Sequence, residues 1–252
     1  ELDAATLKAL VKAGLVEMGE REYVLDCEGS KTQLPKLSPA QTTALDELQK
    51  GLSEKRVALL HGVTSSGKTE IYTHLIEERL SRGEDVLFLV PEISLTTQLV
   101  ERMRGLFGES VMVYHSKLTP QQRTRLYTDM LSSESGHFVV GARSALFLPY
   151  KKLGLVVVDE EHDSSYKQTE PNPRYNGRDA AIMLAAMSGA KCILGSATPS
   201  LESYANSLSG KYAYAQLTER YGGVEMPDIV ISDTVRNVKR NERKLHFNKE
   251  LL

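Results

Sequence analysis

The segment "RVALLHGVTSSGKTEIYTHLIEERLSRG" constrains the chain more than any other stretch. Gly62 through Thr69 fit the pattern G-x-x-x-x-G-K-[ST], with Lys68 as the lysine. Such a loop turns successive backbone N–H groups toward a phosphate, and the helix that follows adds the positive end of its dipole. Gly62 and Gly67 allow torsions and close approaches that a Cβ would block. Lys68 can reach the β- and γ-phosphates, and the Thr69 hydroxyl can ligate Mg²⁺. The context is the required one. An apolar strand precedes the loop, and in the helix after it Ile71, Leu75, Ile76 and Leu80 share one face. Gly62, Thr64, Ser65, Ser66, Gly67, Lys68 and Thr69 are therefore the candidate nucleotide-binding residues.

From Pro39 the chain alternates. Strands are predicted at 56–62, 86–90, 111–115, 138–141, 154–159 and 191–195. Helical stretches fall near 39–52, 68–82, 94–107, 119–133, 177–188 and 199–208. Strands separated by helices imply an α/β fold, a parallel sheet covered on both faces. "LGLVVVDE" is nearly all apolar, as a central strand should be. Ligands of such sheets gather at the carboxyl ends of the strands, and every candidate motif sits at one.

"VVVDEEH" ends a buried strand in Asp159, Glu160, Glu161 and His162. Asp159 there can hold the Mg²⁺ shell, and Glu160 can orient or activate an attacking water. "LGSATPS" follows the next strand. Its Ser196 and Thr198 can bond the acidic loop and report the state of the γ-phosphate, while Pro199 suits a helix start. His162, beside the carboxylates, would couple the two segments. Gln41, just before the first strand, carries the donor and acceptor that an adenine edge needs. His115 and Ser116 are not read as a hydrolytic pair, since no acid partner stands out.

The 252 residues suffice for one large domain with a small appendage. No run approaches the ~20 apolar residues of a membrane span, and nothing reads as a signal peptide. Cys27 and Cys192 lack metal-ligand spacing, which fits a reducing, cytoplasmic setting. A net charge of −2 leaves nucleic-acid binding to local patches. Residues 1–26 read as a helix with Leu7, Leu10, Val11 and Leu15 on one face, then a hairpin. That is the back half of a winged helix, or any small αβ unit. Residues 27–38 read as a linker, 39–235 as the main domain and 236–252 as a basic tail. Both ends read as cuts, so a longer protein is expected.

Gln41, "GVTSSGKTEIY", "PEISLTTQ" (91–98), "GARSALFLP" (141–149), "DEEHDSSYKQ" (159–168) and "GSATPS" together resemble the PriA family of replication-restart helicases, within the superfamily 2 DExH group. The resemblance covers roughly residues 37–220. It implies a RecA-like first helicase lobe (a P-loop NTPase lobe), with ATP and Mg²⁺ as cofactors. It implies 3′→5′ translocation on single-stranded DNA, unwinding at stalled forks and loading of the primosome. Lys68, Asp159, Glu160 and His162 take the catalytic roles, Thr69 and Asp159 the metal, and Ser196 with Thr198 the coupling. Pro91, Thr96, Gln98, Arg143 and Ser144 match the DNA-contacting motifs, with a helix N-cap as the other reading of Thr96. The family's aromatic-rich loop matches 163–179, where Tyr166 and Tyr175 would stack on bases and Lys167, Arg174 and Arg178 would hold phosphates. Here that loop has no Trp, and Asn176-Gly177 replaces the usual His-Ala. Expected partners are single-stranded and forked DNA, primosome components and single-stranded-DNA-binding proteins, and no membrane. A zinc module and a second lobe would belong to a part outside this sequence. Two rival readings differ in class: a nucleotide-gated docking platform without catalysis, and another DExH-type nucleic-acid translocase.

Overall fold

The computed structural model describes residues 33–133 and 136–220, with a short strand pair at Arg243–Lys244 and Phe247–Asn248. The expected winged-helix remnant at 1–26 and most of the basic tail lie outside the described residues.

The order of elements is α1 (Pro39–Glu54), β1 (Val57–Gly62), α2 (Lys68–Leu80), β2 (Asp85–Leu89), α3 (Thr97–Phe107), β3 (Val111–Tyr114), α4 (Pro120–Ser132), β4 (Phe138–Gly141) and β5 (Leu153–Asp159). There follow β6 (Lys167–Gln168), β7 (Tyr175–Asn176), α5 (Gly177–Ser188), β8 (Lys191–Ser196), α6 (Leu201–Leu208) and β9 (Ala213–Leu217). Seven strands form one parallel sheet in the order β3-β4-β2-β5-β8-β1-β9, while β6 and β7 pair as an antiparallel ribbon. The central strands are apolar on both faces because helices cover both. Ala58 and Leu60 of β1 face one core with Leu48 of α1, Ile71 and Leu75 of α2, and Met103 of α3. Val57 and Leu59 face the other, with Met130 of α4 and Ala181 and Ala185 of α5.

The six predicted strands and six predicted helices are all present, with ends shifted by a few residues. Strand β9 went unpredicted. Its "AYAQL" alternates buried and exposed residues, as an edge strand with one wet face should. The β6–β7 ribbon was also missed, because two residues a side carry no periodicity. Helix starts follow their caps. Ser38 and Thr119 form capping boxes with Gln41 and Gln122, each with Pro at the first turn. Among the described residues no helix is long and apolar enough to cross a membrane.

Candidate nucleotide site and its coupling turn

The carboxyl ends of β1, β5 and β8 lie side by side, with Leu60 opposite Gly195 and Asp159 opposite Gly195 from the other flank. This register, set by burial on both faces, brings the P-loop, the acidic loop and "GSATPS" to one rim. Thr64–Glu70, Asp159, Glu160 and Arg102 of α3 line a cleft of about 400 Å³. Six of the seven P-loop candidates line it, all but Gly62. Arg102, paired with Glu70 at 2.5 Å, is a cation at the rim that no motif indicated.

The loop is held open by its own bonds. Gly67 caps α2 in the left-handed region, at φ 83°, where glycine carries no Cβ penalty. The Val63 N–H donates to Leu217 O at 3.0 Å and so ties the loop to β9. The Lys68 ammonium donates to Gly62 O at 2.9 Å and lies 4.0 Å from Glu160 Oε1. The Ser66 hydroxyl is buried without a hydrogen-bond partner. A buried hydroxyl left unpaired beside a lysine and a row of backbone amides fits a phosphate group. The donor set thus suits a nucleoside triphosphate, and Thr69 with Asp159 supplies hard oxygen ligands suited to Mg²⁺.

Gln41, the candidate for an adenine edge, lies against the P-loop. It is 1% exposed. Its Nε2 donates to Ser66 O at 3.1 Å, and its Oε1 accepts from the Ser38 N–H at 2.8 Å. With both ends of the amide engaged, Gln41 shapes the loop from behind.

Asp159 ends β5, and its carboxylate accepts from the Tyr72 hydroxyl at 3.0 Å. Burial first, then the negative charge of Glu160, pushes Asp159 up to about 6, against the pull of Lys68 and Tyr72. Such a carboxylate is poised for a cation. Tyr72 was missed in the sequence, although a tyrosine on a buried helix face requires an acceptor. It reaches Asp159 across Gly195, where an added Cβ would lie 1.6 Å from the Tyr72 hydroxyl. We expect Gly195→Ala to destabilise the fold by about 1–3 kcal/mol through overpacking; thermal melting of the variant measures it, and an unchanged melting temperature would contradict this packing.

At Glu160 the chain turns sharply, with φ 46°, a conformation uncommon outside glycine that collects at functional sites. The turn sends successive side chains apart. Glu160 borders the cleft. Glu161 dives into the protein, 2% exposed, and its N–H donates to Gly195 O at 3.0 Å. His162 lies between the two motifs. Its Nδ1 is 2.8 Å from Ser196 Oγ and 3.7 Å from Glu160 Oε2, and its Nε2 is 3.3 Å from Thr198 Oγ1. Ser196 Oγ also accepts from the Thr198 N–H at 2.9 Å. The four residues expected to talk to one another are therefore in direct contact.

The DNA candidates divide. Arg143 and Ser144 line a small cleft with Glu92, Ser116 and Ser165. Arg143 donates to Ser165 O at 3.0 Å and lies over the Tyr175 ring, 5.7 Å from its centroid. Phe147, 66% exposed, meets Tyr175 edge-on at 5.5 Å; it belongs to "GARSALFLP" but was not singled out. Lys167, Arg174 and Gln98 are exposed. Thr96 caps α3, its Oγ1 accepting from the Leu99 N–H, so the N-cap reading describes it here. Pro91 is buried; its carbonyl accepts from the Ser94 and Leu95 N–H groups and shapes the turn.

Two assignments are corrected. Tyr166 does not face outward: it is 1% exposed, and its hydroxyl, 3.1 Å from Leu89 O and 2.7 Å from Asp159 O, stitches β2 to β5. A 3₁₀ turn at Ser164–Tyr166, capped by Asp163, folds the ring back under the sheet rim. Arg178 is likewise engaged, with Glu161 at 3.1 Å, Ser200 Oγ at 2.7 Å and Asp179 at 2.9 Å, so its Nη1 and Nε already serve the protein. The tip of the ribbon at 169–174 is exposed.

The DEAD/DEAH box helicase family profile matches residues 38–207. The replication restart protein PriA of Bacillus subtilis is 40% identical over the whole chain, which spans 32% of that protein. PriA of Rickettsia felis is 44% identical over 81% of the chain and 31% of its own length. The chain thus spans about a third of the curated relatives it matches. Among solved structures, RecG bound to a three-way DNA junction superposes with a TM-score of 0.55 at 20% identity, over 89% of this chain and 27% of that one, a likeness of fold. The fold is a RecA-like helicase lobe, similar along its length to part of the replication-restart PriA proteins, and the chain belongs to the DEAD/DEAH box helicase family.

Proposed function

We propose that this chain is the ATP-binding first lobe of an ATP-dependent 3′→5′ DNA helicase that acts at stalled or abandoned replication forks and loads the primosome. The observation that carries the reading is the contact chain from Glu160 through His162 to Ser196 and Thr198 at the mouth of the P-loop cleft. A binding site alone has no need of such a chain; a motor must transmit what its nucleotide does. The 40% identity to PriA supports the replication-restart assignment over other DExH translocases.

In this reading Lys68 meets the growing negative charge on the transferred phosphoryl group. Glu160 accepts the proton of the attacking water or orients it. Thr69 and Asp159 would hold Mg²⁺, which when bound neutralises the phosphate oxygens. Backbone amides of the loop grip the remaining oxygens. His162 passes the resulting shift to Ser196 and Thr198. A second lobe, outside this sequence, would close over the nucleotide and donate an arginine finger. Such a finger contributes about 10³–10⁵ in related nucleotidases, so the isolated chain should turn ATP over poorly. Partners of the full protein would be single-stranded and forked DNA, primosome components and single-stranded-DNA-binding proteins, in the cytoplasm; zinc would be held elsewhere in that protein.

A forked-DNA unwinding assay on the full-length protein tests this. ATP-dependent unwinding of substrates with a 3′ loading strand is expected. A protein that binds ATP but neither hydrolyses it with single-stranded DNA nor separates strands would instead be the nucleotide-gated docking platform.

DNA is expected at the rim that carries Arg143, Ser144, Lys167, Arg174 and Tyr175. Tyr175 stands between Arg143 and Phe147, which presets a ring for stacking. Tyr175→Ala should weaken single-stranded DNA binding about tenfold, since one stacking contact is worth ~1–3 kcal/mol, and should blunt DNA-stimulated ATPase while basal ATPase stays near normal. Fluorescence anisotropy with a labelled oligonucleotide and a steady-state ATPase titration measure the two effects.

A further inference from the structure

The acidic loop contains a third carboxylate that no role so far uses. Glu161 has a side chain with no exposed surface, in a position where an unpaired charge would be prohibitively costly. It is fully engaged. Its Oε1 accepts from the Ser200 N–H at 2.6 Å, and its Oε2 accepts from Ser200 Oγ at 3.1 Å, Ser203 Oγ at 2.9 Å and Arg178 Nη1 at 3.1 Å. Arg178 Nη1 also donates to Ser200 Oγ at 2.7 Å.

These partners come from three elements with different duties. Glu161 adjoins Glu160 of the nucleotide cleft. Ser200 is the N-cap of α6 and follows "GSATP" directly. Arg178 lies in the first turn of α5, which starts where the β6–β7 ribbon ends. Asn176, the last residue of β7, caps α5 by accepting from the Arg178 N–H at 2.9 Å. The ribbon is therefore continuous with α5 through a capped, hydrogen-bonded joint. Any displacement of the ribbon at its exposed face moves Arg178. A buried ion pair tolerates little displacement before it breaks, so the movement must be passed to Glu161 and to the cap of α6.

We infer that Glu161 and Arg178 form a buried relay, a pair of positioning residues that links the single-stranded-DNA face of the ribbon to both the acidic loop and the "GSATPS" turn. Neither residue lines the nucleotide cleft. The relay runs parallel to the His162 chain on the other side of the same turn: His162 reads the nucleotide from the cleft, and Arg178 reads the ribbon from behind. The inference rests on the helicase reading above, because it needs both ligands.

The test is linkage. If two sites are coupled, nucleotide changes DNA affinity by the same factor by which DNA changes nucleotide affinity, typically about 5–150-fold. The dissociation constant of a labelled oligo-dT is measured on the full-length protein with and without a non-hydrolysable ATP analogue and Mg²⁺. In the parent the two values should differ within that range. Glu161→Gln keeps shape and a carbonyl acceptor but removes the charge. Arg178→Met removes the cation. Both should bring the ratio to within about twofold of unity, while each ligand alone still binds near its parental strength. Arg178→Lys, which restores a cation beside Glu161, should recover most of the coupling; a loss of stability alone would lower both affinities together and leave their ratio unchanged. If Arg178→Met melts too low to assay, Glu161→Gln carries the test. A parental ratio in Glu161→Gln overturns the relay and leaves the helicase reading intact, as does a Lys variant as uncoupled as the Met variant. A parent protein with no coupling overturns both.

Discussion

Lys68→Ala should abolish ATP-driven strand separation by the full-length protein, with ATP turnover falling by at least about a hundredfold. Lys68 is 8% exposed and points into the loop, 2.9 Å from Gly62 O and 4.0 Å from Glu160. Its ammonium is the only side-chain cation among the P-loop residues 62–69. Removing it takes positive charge from the place where the phosphoryl oxygens gain negative charge, in a low-dielectric setting where the loss is felt strongly. It also frees Glu160 of its nearest cation. DNA binding should survive, because Arg143, Lys167 and Tyr175 lie at other strand ends. Anisotropy with single-stranded DNA and a fork-unwinding time course check the two halves. Unwinding at the parental rate would show that this loop does not fuel the motor.

Glu160→Gln should separate binding from hydrolysis. The amide keeps the size of the side chain and can still border the cleft, but it cannot take a proton. General-base contributions are typically about 10²–10⁴-fold, so turnover should fall by that order while affinity for ATP with Mg²⁺ holds. The variant also relieves Asp159 of one repulsive charge, the second cause that pushes it up to about 6. Asp159 would then ionise more readily, and metal binding should be no weaker. Nucleotide affinity is read by fluorescence, turnover by phosphate release. A loss of affinity as large as the loss of turnover would make Glu160 a metal ligand and would exchange the roles of the two carboxylates.

Both predictions depend on residues that were legible in the sequence, and the reason is local. A P-loop consists of backbone amides, two glycines, a lysine and a hydroxyl within eight residues, so its chemistry is written in one contiguous stretch. The acidic motif is similar: a strand apolar on both faces ends in carboxylates, and the end of such a strand is a rim. Short apolar runs placed six of the seven strands of the sheet, and helical periodicity placed the six helices. It was silent on β9 and on the β6–β7 ribbon, where the segments are half wet or too short to show a period.

Contacts across the sheet rim were decided by tertiary structure. Tyr166 and Tyr175 look alike in "DSSYKQTEPNPRYNGRD", two aromatic residues in a polar loop. Only the 3₁₀ turn after Asp163 folds one beneath the sheet and leaves the other beside Arg143. Gln41 has the chemistry to read an adenine edge, yet its amide is committed to Ser38 and Ser66. Glu160 and Glu161 are neighbours of one type, and the backbone turn at φ 46° sends one to the cleft and the other to Arg178. The sequence by itself determined six of the seven strands of the sheet, the candidate nucleotide loop and the candidate metal carboxylate, since each follows from a short apolar pattern or a contiguous motif. Which carboxylate is buried, which tyrosine lies beneath the sheet and which arginine pairs with Glu161 were decided only when segments far apart in the chain met at the carboxyl rim of the sheet. There, burial forces every polar group to find its partner.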